Sequence, residues 1–145
     1  MSISRETHDN AKDIRVIAVD FDGTIVRHDY PRIGSEAPNA FKVLRSLQAD
    51  GHKLILLTMR CGKDLKDALA FCADRGVKFW AVNDNPDQHS WTTSPKVYAQ
   101  LYIDDMALGT PMADGTVDWF KIEKLISMWL LEPSHKFVIH SKDGR

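Results

Sequence analysis

Long hydrophobic runs are absent from this chain. Nowhere in its 145 residues does an apolar stretch approach the ~20 residues that cross a bilayer, and residues 1–9 lack the apolar core of a secretory signal. Cysteine is scarce. Cys61 and Cys72 are too few for a disulfide framework and lack metal-type spacing, so both are expected to pack as small side chains in a reducing, cytoplasmic setting. The six histidines are scattered without ligand spacing. Charge of one sign is not in excess, with 19 Lys and Arg against 20 Asp and Glu. That excludes the basic surface of a general nucleic-acid binder. No repeat or low-complexity tract occurs. What remains, 43% hydrophobic and 27% charged, is the composition of a soluble globular protein long enough to bury one core.

Polar, aperiodic segments at 1–13 and 132–145 read as loose tails, with Val138-Ile139 able to add a short edge strand that the reading does not count on. Residues 14–131 alternate in period and read as one domain. The β-branched run 16–19 ends in Asp20-Phe21-Asp22-Gly23, and its unbroken apolarity predicts a strand covered on both faces. A helix is predicted over 35–50, with Ser35 as N-cap, Pro38 in the first turn and Gly51 as the stop. Strands at 54–57, 79–82 and 101–103 follow, with a helix over 64–75 between the first two. Asp118 caps a last helix whose face is Trp119, Ile122, Leu125, Ile126 and Trp129. This order predicts an α/β fold, a doubly wound, Rossmann-like three-layer sandwich on a mainly parallel sheet.

In such sheets ligands bind beyond the carboxyl ends of the strands. Asp20 and Asp22 follow the first strand, Thr58 and Arg60 the second, Asn83-Asp84-Asn85 the third and Asp104-Asp105 the fourth. Carboxylates so crowded repel one another unless a cation sits among them, and all-oxygen ligands suit Mg²⁺. Lys96 and the Thr58 hydroxyl complete a set fit for a phosphoryl group. Asp20 and Asp22, two apart in an extended segment, face one side. One carboxylate can attack phosphorus while the other moves protons. Gly23 permits a sharp turn whose N–H groups cradle phosphate oxygens.

Asp20-Phe21-Asp22-Gly23-Thr24 after a hydrophobic strand, then Thr58, Lys96 and Asp104-Asp105 in that order, resembles the four motifs of the haloacid dehalogenase superfamily across residues 14–131. The resemblance implies a magnesium-dependent phosphatase that hydrolyses a phosphate monoester through an aspartyl-phosphate. It makes Asp20 the nucleophile and a metal ligand, and Asp22 the general acid/base with its carbonyl on the metal. Thr58 and Lys96 hold the phosphoryl group, alongside the backbone at Phe21, Gly23 and Met59. Asp104 and Asp105 complete the metal shell. A phosphomutase is the alternative within the superfamily. A receiver-like signalling domain fits poorly, because its phosphorylated Asp follows the third strand. A non-catalytic phosphate-binding protein has no support, because every motif position is intact. A calcium loop lacks its third acidic position and its bidentate Glu.

Neither 25–34 nor 84–94 is long enough to hold the cap domain common in that superfamily. Specificity is then expected from Arg27, His28, Tyr30, Arg32, Arg60, Asn83, Asp84, Asn85 and His89. Trp91, on a polar loop, is a further candidate to flank the site. A small phosphorylated substrate and a homo-oligomer that covers the open site are expected. Lys53, Lys63 and Lys78 are the alternatives to Lys96, and Trp80, Trp119 and Trp129 are expected in the core.

Overall fold

The structure, a computed structural model, describes residues 13–133. Apart from residues 13, 132 and 133, the tails expected at 1–13 and 132–145, with Val138 and Ile139, lie outside the described residues. The elements run β1 Val16–Val19, α1 Ala40–Ala49, β2 Lys53–Leu56, α2 Gly62–Asp74, β3 Ala81–Val82, a 3-10 turn Pro86–Ser90, β4 Leu101–Ile103, β5 Met112–Ala113, β6 Thr116–Val117 and α3 Trp119–Leu130. Four strands form a parallel sheet in the order β3-β2-β1-β4, and β5 pairs with β6 separately. The α/β class read from the sequence is therefore present. Val19 stands opposite both Leu56 and Ile103, so the three longest strands end level.

All three helices bury side chains in one cluster with Ile17, Val19, Leu54, Leu56 and Ile103. Ala18 and Ile55 face the other way, against Val97, Ala99 and the half-buried Trp80. Among the described residues, no α-helix contributes a side chain to this second cluster. No helix there is long and apolar enough to cross a membrane.

The expected helix start at Ser35 is corrected. The Ser35 carbonyl accepts from Arg27 N–H at 2.8 Å and Ala37 N–H donates to the Ile25 carbonyl at 2.9 Å. That backbone is already spent, and α1 begins only after Asn39, at a left-handed φ of 70°. The Asp118 cap is as expected, its Oδ1 accepting from Phe120 and Lys121 N–H at 3.2 Å. Of the expected α3 face only Leu125 is exposed. The β5–β6 hairpin is new. Its Asp114-Gly115 turn has φ values of 50° and 79°, the positive pair that this dipeptide favours, so the signal was in the sequence.

The cysteines take opposite roles. Cys61 is exposed, whereas Cys72 is fully buried on α2, and burial pushes its thiol up to about 12. The native protein is expected to react with one equivalent of a thiol reagent at pH 8, at Cys61, and with a second only on unfolding. Peptide mapping of the modified chain checks this.

Candidate active site

Asp20 leaves β1 with its N–H bonded to the Ile103 carbonyl at 2.9 Å, which brings it beside the end of β4. The chain then coils tightly: Thr24, Ile25 and Val26 N–H all donate to the Phe21 carbonyl, at 2.9–3.3 Å, and Gly23 N–H to the Val26 carbonyl at 2.8 Å, so the phosphate cradle expected at Gly23 is corrected, its N–H being spent within the coil. Gly23 lies in this coil at φ 82°, and a Cβ there would stand 2.3 Å from Asp105 Oδ2. Only glycine admits both that backbone and that carboxylate. Thr24 joins the two motifs. Its hydroxyl donates to Asp20 Oδ2 at 2.8 Å and accepts from Asp105 N–H at 3.1 Å. The Thr24 carbonyl in turn accepts from the buried Trp119 indole at 2.7 Å, so the first residue of α3 braces the coil. Met106 N–H donates to Asp104 Oδ1 at 2.8 Å, which fixes that side chain.

Asp20, Asp104 and Asp105 each offer a carboxylate oxygen, and these atoms lie within 4.8 Å of one another. Burial, with a further push from Asp104, raises Asp20 to about 7, against the pull of the Thr24 hydroxyl. A trio of hard oxygens short of positive charge fits Mg²⁺. The Asp22 side chain takes no part in the trio: Arg60 Nε and Nη2 grip its two oxygens at 2.7 Å each.

The raised Asp20 couples the stability of the fold to pH. The folded chain holds a proton that the unfolded chain has released, so this group's contribution to stability declines as pH rises from about 4 to about 7. Mg²⁺ must displace that proton below pH 7 and need not above it. Saturating Mg²⁺ is therefore expected to raise Tm more at pH 8 than at pH 5.5, as read by calorimetry. An equal rise at both would remove Asp20 from the cation site.

A cleft of about 480 Å³ opens over these groups. Asp20, Asp22, Asp104 and Asp105 form its acidic side, Thr58 and Arg60 the side from the β2 loop, and His28, Tyr30, Met59 and Met106 the remainder. Thr58 is buried and pinned: its N–H and carbonyl bond the Asn83 side-chain amide at 2.8 and 2.9 Å, and its Oγ1 accepts from Arg60 N–H at 3.1 Å. Phe21 lies wholly in the core beneath the coil.

Other expected site residues do not line the cleft. Lys96 is exposed on the loop before β4, its carbonyl tied to the Gln88 amide. Lys53 pairs with Asp87, Lys63 with Asp67, and Lys78 is exposed, so none of the alternatives lines it either. Asn83 serves Thr58 as above. Asp84 pairs with His89 at 2.8 Å, and Asn85 is buried, spanning Asp87 N–H and the Tyr98 carbonyl. Arg27 reaches the Asp114 carbonyl and Arg32 pairs with Asp29. Trp91 packs edge-on against Tyr98. The side chains of Arg27, Arg32, Asn83, Asp84 and Asn85 are spent on holding loops.

Arg60, weighed from sequence as a surface or substrate-contacting residue, is only 2% exposed. Besides Asp22, its Nη atoms donate to the Pro31 and Arg32 carbonyls at 3.0 and 2.9 Å and approach the Asp64 carbonyl at 3.5 Å. Tyr30 lies over the guanidinium, 5.1 Å from its ring centre. Arg60 thus welds Asp22 to the 30–32 loop. Sequence reasoning missed Thr24, Trp119 and Met106. For Thr24, its place four residues after Asp20 in a Gly-bearing turn was the available signal.

No protein-family model and no curated protein matches the chain. A solved structure, that of a conserved protein coded by a locus of Bacteroides thetaiotaomicron, is 44% identical, with a TM-score of 0.69, over 80% of this chain and 92% of that one. At that identity and coverage, the chain belongs to the same family as this conserved Bacteroides thetaiotaomicron protein.

Proposed function

We propose that the chain is a magnesium-dependent phosphatase acting on phosphate monoesters through an aspartyl-phosphate, built as a capless enzyme of the haloacid dehalogenase type. One observation carries the reading: a trio of carboxylates at cation-binding separation shares a cleft with Asp22 and the Thr58 hydroxyl, all at the carboxyl ends of a parallel sheet. Mg²⁺ held by Asp20, Asp104 and Asp105 would offset charge on the phosphoryl oxygens. Asp20 attacks phosphorus, and the bond from phosphorus to the ester oxygen breaks as Asp22, protonated from solvent on an oxygen released from one Arg60 donor, gives that oxygen a proton. Asp22 then takes a proton from water, whose oxygen attacks the same phosphorus and returns Asp20 as a carboxylate with release of inorganic phosphate. Thr58 donates to a phosphoryl oxygen, and its Asn83 clamp fixes where that donor stands.

A panel of phosphate monoesters assayed with and without Mg²⁺ tests this. Hydrolysis that EDTA abolishes and added Mg²⁺ restores is expected. Full activity in metal-free protein would sink the reading.

A further inference from the structure

Beside the reacting groups the cleft offers exposed apolar side chains and few free cations. Arg60 is the one Lys or Arg among its lining residues. Its N–H donors are already engaged by Asp22 and by the carbonyls of Pro31, Arg32 and Asp64. A second anionic group on the substrate would find no uncommitted Lys or Arg in the lining, where His28 is the one other group able to carry positive charge. Apolar surface, by contrast, is held open beside the reacting groups: Met59 is 97% exposed, Met106 84% and Tyr30 53%. None of the three is loose in its backbone or setting. Met59 lies between buried Thr58 and buried Arg60, so its side chain is turned outward. Met106 is anchored by its N–H on Asp104, and Tyr30 rests on the Arg60 guanidinium. Large apolar side chains so exposed signal a contact surface, and methionine adapts to varied apolar shapes.

Resting on the phosphatase reading, we infer that the substrates are monoesters with an uncharged, apolar or flat leaving group, received by Tyr30, Met59 and Met106, and that esters with a second anionic group are rejected. Tyr30, Met59 and Met106 are specificity residues in this account and take no part in the bond-making steps.

Benzyl phosphate and 4-carboxybenzyl phosphate form a matched pair that differs by one distant charge. With saturating Mg²⁺, kcat/KM is expected to favour benzyl phosphate by about tenfold or more, and benzyl over methyl phosphate by a similar factor through KM. Met106→Lys, at an exposed position that does not threaten folding, should abolish or reverse the first preference. Equal efficiency on the matched pair, or a preference for the carboxylate, overturns the inference and leaves the phosphatase reading standing. Hydrolysis of none of the three esters, with Mg²⁺-dependent hydrolysis of other monoesters in the panel, overturns the inference alone; no hydrolysis across the whole panel overturns the phosphatase reading with it.

Discussion

Asp22→Asn is expected to lower turnover by ~10²–10⁴-fold, the scale of acid–base assistance. The phosphoenzyme should persist, because water in the second step lacks its base. Asparagine retains one oxygen for Arg60 but turns an amide N–H₂ toward the other guanidinium donor, so some stability is lost as well. The Mg²⁺-induced rise in Tm separates the two effects. It should survive, since Asp20, Asp104 and Asp105 are untouched. Near-wild-type turnover in this variant would remove Asp22 from the proton-transfer role.

The second large effect is on stability. The Arg60 side chain is 1% exposed and that of its partner Asp22 14%. Arg60→Met leaves Asp22 without its counter-charge and the Pro31 and Arg32 carbonyls without their donors. Breaking such a pair by removing one partner costs about 3–5 kcal/mol, and urea unfolding of the two proteins at pH 7.5 measures it. Activity should fall too, because the fork that orients Asp22 is gone. A loss below about 1 kcal/mol, the scale of a solvated surface pair, would show that the contact is not a clamp.

Much of the sheet and its acidic edge was legible in the sequence. Val16–Val19 and Leu101–Ile103 stand where the apolar runs ended. The rule that polar residues gather beyond the strand ends brought Asp20, Asp22, Thr58, Asp104 and Asp105 to one cleft. Less legible was anything decided by tertiary hydrogen bonds. Ser35 looks like a helix cap until its carbonyl is seen paired with Arg27. Asn83, Asp84 and Asn85 look like substrate contacts until their amides and carboxylate are found bound to Thr58, His89 and the 3-10 turn. Arg60 carries no mark of burial in the sequence. Its partners, the Pro31 and Arg32 carbonyls, come from a loop about thirty residues away. The side on which helices pack is likewise a property of crossovers, so the covering of the sheet's second face was not legible in the sequence.

The aspartyl-phosphate at Asp20 is the central claim, and mass spectrometry tests it most directly. A chain rapidly quenched in acid during turnover with Mg²⁺, then reduced with borohydride, converts an acyl phosphate at an aspartate into homoserine. The account predicts homoserine at position 20, absent without Mg²⁺ and more abundant in Asp22→Asn. Homoserine at another aspartate, or none in Asp22→Asn during measurable turnover, would contradict it.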